Sequence, residues 1–365
     1  MEEIEILNHD VLREIFSYLS FRDQLNVAAV CKKWQYVVDI MMGSIRKMCC
    51  LVNKDINCSK LSVQIRKDVV YVTTRYVTFL GKPLKKFGAN LTKIQIEDRS
   101  CHHYISIFFY ELLKNCTKLK HARLIFGHDF GIMENFLKSL PTDNLEHLSI
   151  YYTSRSNSCR SSNNNALASV LAKSPKLKSL DLNYTPIQYL ESIGGTKTLT
   201  ALFIAAKKIP RLNFNMKELK NLETLSIHSL GNDRMATEIT KLIRNCRKLH
   251  SIRFECVDIL PETILDEMMS LPNLRRLCLC TSEGSYESWY KFSNLEDIQI
   301  SQCQPLLTSR DQIKNFLQRS NKLKTYYFPG CGIDHLFLKL VSDLRYECIS
   351  SCVTEWHHWH STIPF

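Results

Sequence analysis

A six-residue pattern, L-x-x-L-x-L with conservative swaps, begins at Leu91, Leu119, Leu145, Leu177, Leu199, Leu222, Leu249, Leu274, Leu295 and Leu323, in steps of 21 to 32 residues. A chain that repeats at such a period does not gather around one centre. Each repeat is a supersecondary unit too small to bury its own apolar face, so neighbours must stack to close a continuous core. Alternate residues of a strand face opposite ways, so the last two L positions of each motif enter the core and the residue between them faces the other side. With strands about 4.8 Å apart, that outer row runs for roughly 50 Å. It reads Gln95, Arg123, Ser149, Asp181, Phe203, Ser226, Arg253, Cys278, Gln299 and Tyr327. Charges of both signs with two aromatics suit a protein or peptide better than a phosphate backbone. Arg123, Asp181, Phe203, Arg253, Cys278 and Tyr327 are the candidate substrate-binding residues, with the Arg and aromatic side chains as the expected anchors. The longest step contains the polar run Ser154 to Asn165, which is expected to be an exposed loop.

The first 42 residues read differently. They hold four basic and seven acidic side chains, against a net charge of +12 for the whole chain, so two units with different partners are expected. Val11, Leu12, Ile15, Phe16 and Leu19 share the spacing of one helical face. Ser20 with Asp23 has the form of a capping box that starts a second helix through Leu25, Val27 and Ala28. Val30, Trp34, Val37, Val38 and Met41 mark a third, ending at Gly43. So apolar a segment of about 40 residues rarely closes a core alone, and part of its surplus should be buried against something else.

The stretch Leu7 to Trp34, LNHDVLREIFSYLSFRDQLNVAAVCKKW, resembles an F-box, the module that attaches substrate receptors to the Skp-type adaptor of cullin-RING ubiquitin ligases. Leu7, Asp10, Leu12, Ile15, Phe16, Leu19, Leu25, Val30, Cys31, Lys32 and Trp34 stand where the family pattern wants them. The resemblance implies that Leu7, Leu12, Ile15, Phe16, Leu19, Leu25, Val30, Cys31 and Trp34 bind the adaptor. Asn8 occupies the family's usual proline position and starts the helix as an N-cap instead.

Between the strand motifs lie helical patterns such as FFYELLKNCTKL, LASVLAKSPKL, EITKLIRNCRKL and IKNFLQRSNKL. Together they resemble the cysteine-containing leucine-rich repeats of F-box proteins, in which a helix ends in a short Cys-Pro-like turn before the strand. Cys116 and Cys246 hold the Cys of that turn and Pro175 its Pro. Just past the strand motifs, Thr153, Thr185, Ser282, Cys303 and Cys331 are expected to satisfy exposed backbone groups. The implied fold class is α/β: a three-helix F-box followed by a leucine-rich-repeat solenoid, a horseshoe with parallel strands on the concave face and helices on the convex one. The expected division is residues 1–45 F-box, 46–68 linker or N-terminal cap, 69–345 repeats, and 346–365 a tail capping the last repeat.

Hydrophobic residues at 45 % and charged residues at 23 % exclude a disordered chain. No run of about 18 apolar residues is present and the start Met1-Glu2-Glu3 is acidic, so neither a membrane span nor export is expected. The 15 cysteines then read as reduced thiols of a protein of the cytoplasm, the nucleus or both. Thirteen Lys and Arg with no acid fall in LLKNCTKLKHARL, VLAKSPKLKSL, LIRNCRKLHSI and FLQRSNKLKTY, at or just after helix C-termini, where the helix dipole favours cations, and this explains the basic excess better than nucleic-acid binding. No GxxxxGK[ST], GxSxG or HExxH occurs, and the spacing of Cys348, Cys352, His357, His358 and His360 is too short for a zinc finger, so no enzyme activity, cofactor or metal is expected. Trp356 and Trp359 are expected to lay the tail on the last repeat. Through the resemblance, the expected role is that of a substrate receptor. The adaptor, and through it a cullin-RING ligase, would be one partner and a protein target the other. The competing reading is a repeat scaffold that binds protein or RNA without delivering it to a ligase.

Overall fold

The L-x-x-L-x-L motif sets where strands form: each of its ten copies carries one. The computed structural model describes residues 7–52, 62–66, 69–74, 88–98, 113–126, 130–152, 165–183, 193, 196–205, 219–228, 233–257, 260–281, 291–301, 310–327 and 347–348. The chain divides into two units, Met1–Leu177 and Lys178–Phe365.

In the first unit, three helices, α1 (His9–Ser17), α2 (Phe21–Ala28) and α3 (Lys32–Gly43), precede strands β1 (Lys47–Val52), β2 (Ser62–Arg66), β3 (Val69–Thr74), β4 (Lys93–Asp98) and β5 (His121–Phe126), helix α4 (Phe130–Ser139), β6 (His147–Tyr152) and α5 (Asn165–Lys173). The strand order is β6-β5-β4-β1-β3-β2, parallel except where β2 turns antiparallel to β3. The second unit holds β7 (Ser179–Asn183), β8 (Ala201–Ala205), β9 (Thr224–His228), α6 (Asp233–Asn245), β10 (Ser251–Val257), α7 (Glu262–Met269), β11 (Arg276–Thr281), β12 (Asp297–Ser301), α8 (Arg310–Arg319), β13 (Thr325–Tyr327) and β14 (Glu347–Cys348). Its strands lie parallel in chain order.

Within each motif the three L positions form the core, and none that is described is more than 3 % exposed. Helix side chains close the core from the sheet's other side, as where Phe136 of α4 meets Phe126 of β5 with ring centroids 5.5 Å apart. Before five of the motifs a small residue of the turn is buried: Cys116, Ser174, Thr196, Cys246 and Ser320 are at most 3 % exposed. Ser174 donates to Val170 O at 2.6 Å, and Cys246 Sγ lies 3.2 Å from Leu219 O of the previous repeat.

Within each unit, one bracket joins successive repeats. Two successive N–H groups donate to a single carbonyl of the preceding repeat: Lys120 and His121 to Thr92 O, Glu146 and His147 to Lys120 O, Glu223 and Thr224 to Thr200 O, Arg275 and Arg276 to His250 O. A side-chain ladder runs beside it. Asn144 Nδ2 donates to Thr117 O at 3.0 Å and its Oδ1 accepts from Lys176 at 2.7 Å, and Asn221 likewise joins Lys197 O at 3.0 Å to Lys248 at 2.8 Å. Lys322 reaches Asn294 in the same way. These lysines are the helix-end cations of the sequence, and each is bonded to an asparagine of the preceding repeat.

The ladder starts before the leucine pattern does. Thr92 and Lys93 donate to Arg46 O, and β1, inside the stretch expected as linker or cap, pairs in parallel with β4. Its core positions Ile45, Met48 and Cys50, at most 2 % exposed, are a rung of the same spacing without a leucine. Asn165, at the end of the polar run, begins α5. The rest of that run, Thr153, Thr185, Ser282, Cys303, Cys331 and the tail residues Cys352, Trp356, His357, His358, Trp359 and His360 lie outside the described residues.

Because Asn221 both donates and accepts between repeats, Asn221→Ala should destabilise the protein by about 1–2 kcal/mol in urea unfolding, and Lys248→Ala by less than about 1 kcal/mol. Equal, negligible effects of both would show that the ladder does not hold the repeats in register.

Candidate functional site

The residues singled out by the sequence lie on two surfaces, one on the helices and one on the sheet. On the helices, Asn8 Oδ1 accepts from Val11 N at 2.9 Å and starts α1 where the family has proline, and Ser20 caps α2 through Asp23 N. Gln24, 2 % exposed, donates to Phe16 O at 2.9 Å and Leu19 O at 3.3 Å, tying α2 to the end of α1. The interior row of α1 is Leu12 and Phe16, at 1 % and 2 %, and Phe16 meets the Trp34 ring edge-on at 5.2 Å. Val37, Val38 and Met42 of α3 complete this core.

A second apolar stripe lies about 100° further round α1. Val11, Ile15 and Tyr18 are 42 %, 45 % and 81 % exposed, and Leu25 and Val30 lie exposed on α2 and just beyond it. The sequence reading gave the adaptor Leu12 and Phe16 as well. Their burial makes them supports of the stripe, because both are used up in closing the three-helix core. Leu7, Leu19, Cys31 and Trp34 are half-buried, and Val11, Tyr18, Tyr36 and Ile40 are exposed apolar residues that the family pattern did not single out.

On the sheet, the outer row is in register as expected. Gln95, Arg123 and Ser149 pair across β4, β5 and β6, and Cys49 and Tyr71 extend that row onto β1 and β3. In the second unit Asp181, Phe203, Ser226, Arg253, Cys278, Gln299 and Tyr327 pair across β7 to β13. Register is not exposure, however. Cys278 is 1 % and Asp181 6 % exposed, so neither presents itself to a partner. Each is short and stands beside a longer side chain on the next strand, Cys278 between Arg253 and Gln299 and Asp181 beside Phe203. Cys280, two residues further along the same strand face, is half-buried. Burial pushes the Cys278, Cys116 and Cys246 thiols up to about 12, which rules them out as thiolate nucleophiles near neutral pH.

Arg253 is engaged within the face. Its Nε donates to Glu255 Oε1 at 2.6 Å, and His228 Nδ1 lies 3.1 Å from Glu255 Oε2. Burial works against the Glu255 charge, yet the hydrogen bonds from His228 and Arg253 hold its carboxyl down at about 2. Arg123, Phe203 and Tyr327 remain the half-buried large side chains of the row. In the first unit the face is basic. Lys47, Lys93, His121 and His147 stand in register on β1, β4, β5 and β6, and the two imidazoles stack at 4.4 Å, nearly parallel at 2°. The guanidinium of Arg123 lies 4.8 Å over the Tyr151 ring. The sequence signal for this basic row was its recurrence two residues before the central row, on the same face of the strand. Among the described residues no group of three or more His, Cys, Asp or Glu is placed to hold a metal, and no helix is long and apolar enough to cross a membrane.

Comparison with known proteins agrees with the helical half of this geometry. Residues 4–42 match the F-box domain family. No curated protein matches the chain. Among solved structures, an internalin (inlF) of Listeria monocytogenes is similar at 15 % identity and a TM-score of 0.43, over 93 % of this chain and 97 % of its own. The leucine-rich-repeat-containing protein LegL7 of Legionella pneumophila is similar at 12 % identity and a TM-score of 0.38, over 73 % of this chain and 85 % of its own. The chain carries an F-box domain at residues 4–42, followed by parallel strands that repeat on the L-x-x-L-x-L pattern.

Proposed function

We propose that this chain is the substrate-recognition subunit of an SCF-type ubiquitin ligase, acting in the cytoplasm or nucleus. Its F-box helices hold a Skp-type adaptor, and its sheet face holds a protein target. The observation that carries the reading is the exposed stripe Val11, Ile15 and Tyr18, with Leu25 and Val30, on a domain whose own core is already closed by Leu12, Phe16, Val37 and Val38. Exposed apolar residues gathered on a small domain mark an interaction surface. The chain makes no bond itself. It raises the effective concentration of a target lysine near the charged conjugating enzyme, to millimolar levels for ordinary tethers. The engagement of Lys176, Lys248 and Lys322 with asparagines favours this reading over an RNA scaffold, since the cations that would track a phosphate backbone already have structural work.

Ile15→Asp should abolish co-purification of the adaptor, because a charge entering an apolar interface unpaired costs several kcal/mol. Since Ile15 is 45 % exposed, the melting temperature should stay near that of the wild type. Leu12→Asp, by contrast, should melt the helices. Asn8→Pro should leave adaptor recovery equal or higher, as proline also serves the first helical turn. Undiminished recovery with Ile15→Asp would refute the ligase reading.

Target binding should depend on the half-buried anchors. With a target recovered from native cells, Phe203→Ala combined with Tyr327→Ala should weaken binding by at least about 2 kcal/mol, while Lys248→Glu should change it little. The reverse order, with a steep fall in affinity as salt rises, would favour the RNA scaffold.

A further inference from the structure

The sheet face of the first unit is mostly basic. Its rows, read across β1, β4, β5 and β6, are Lys47, Lys93, His121 and His147; then Cys49, Gln95, Arg123 and Ser149; then Leu51, Glu97, Ile125 and Tyr151. Glu97 is the one acid in these rows. All of these residues but Ser149 are half-buried. One buried donor here lacks a hydrogen-bond partner, Arg123 Nε, and the buried Nδ1 of His121, donor or acceptor by tautomer, has none either. A buried donor without an acceptor is costly, and an incoming acceptor relieves that cost. With the guanidinium stacked over Tyr151, the fork of N–H groups is held ready for a carboxylate that accepts two bonds at once.

We propose that this face binds an acidic, Asp- or Glu-rich segment of a protein target, with Lys93, His121, His147 and Arg123 as its contacts. The inference rests on the reading of the sheet face as the target-holding surface and adds the chemistry of what is held. Four strands span only about 14 Å, enough for a few carboxylates rather than a backbone track. The adjoining Ile125, Leu51 and Tyr151 offer apolar contact of the kind a peptide uses. The histidine stack makes the site pH-coupled. Burial, then His147 and Lys93, with a smaller push from Lys120 set against Glu146, hold His121 down at about 4, so it is neutral in the empty site near neutral pH. A bound carboxylate favours the charged imidazole and lifts that value toward its ordinary 6.5. Binding then takes up a proton, and affinity rises as pH falls.

The test is fluorescence anisotropy of a labelled oligoglutamate peptide against the purified full chain, without adaptor. Arg123→Glu and Lys93→Glu should each weaken binding at least about tenfold, and Lys248→Glu should leave it within about twofold. Thermal melts accompany each variant, and should Arg123→Glu unfold, the gentler Lys93→Gln should still weaken binding by a few fold. Wild-type affinity should rise between about pH 7.5 and pH 5.5, and His121→Gln should flatten that rise. Ile15→Asp should bind the peptide like the wild type, which separates failure of this inference from failure of the adaptor reading. Equal losses from Lys248→Glu and Arg123→Glu, tighter binding of an oligouridylate than of the peptide, or a rise with falling pH that survives His121→Gln would overturn the proposal.

Discussion

Two neighbouring N–H groups sharing one carbonyl of the preceding repeat is the contact from which the sheet follows. In the first unit it runs from Arg46 O through Thr92 O to Lys120 O, and in the second from Lys178 O through Thr200, Glu223, His250 and Arg275 to Glu296 O. A side-chain period of two means that a slip of one residue would turn the core Leu and Ile of a strand outward. The bracket fixes the first paired residue of each strand, so the three L positions stay inside and the residues between them stay on one face. Every proposed contact on that face, Arg123, Phe203 or Tyr327, inherits its position from this arrangement.

The same logic accounts for the charge of the chain. A net charge of +12 invites a reading in terms of polyanions. Lys118, Lys176, Lys248 and Lys322 instead each reach an asparagine one repeat back, and Lys120, Arg275 and Lys324 pair with Glu146 and Glu296 on neighbouring repeats. Exposed pairs of this kind contribute little individually. Repeated along a stack, they align the turns from which the strands begin. Lys47, Lys93, His121, Arg123 and His147 stand in register on the sheet face of the first unit.

Much of this was legible in the sequence because it rests on local patterns. The alternation inside L-x-x-L-x-L predicted the outer row residue by residue, Ser20 with Asp23 predicted the cap of α2, and Asn8 was readable as the cap of α1. Other features depend on neighbours distant in the chain. Ile45, Met48 and Cys50 form a rung that contains no leucine, so a search for leucines passes over it. The burial of Cys278 and Asp181 follows from which longer side chains flank them on adjacent strands, and that is known only once the register is. Leu12 and Phe16 share the spacing of Ile15 on paper, and only the packing of α3 and Trp34 separates the core row from the exposed stripe.

The central claim is a division of labour: the helices α1 to α3 meet an adaptor while the sheet stays open for a target. Hydrogen exchange of the full chain, with and without an excess of a Skp-type adaptor, tests it most directly. The account predicts slowed exchange confined to residues 9–43, strongest in α1 and α2, with the amides of β4 to β13 unchanged. Exchange unchanged in α1 and α2 at saturating adaptor, or protection falling on the strands instead, would contradict it.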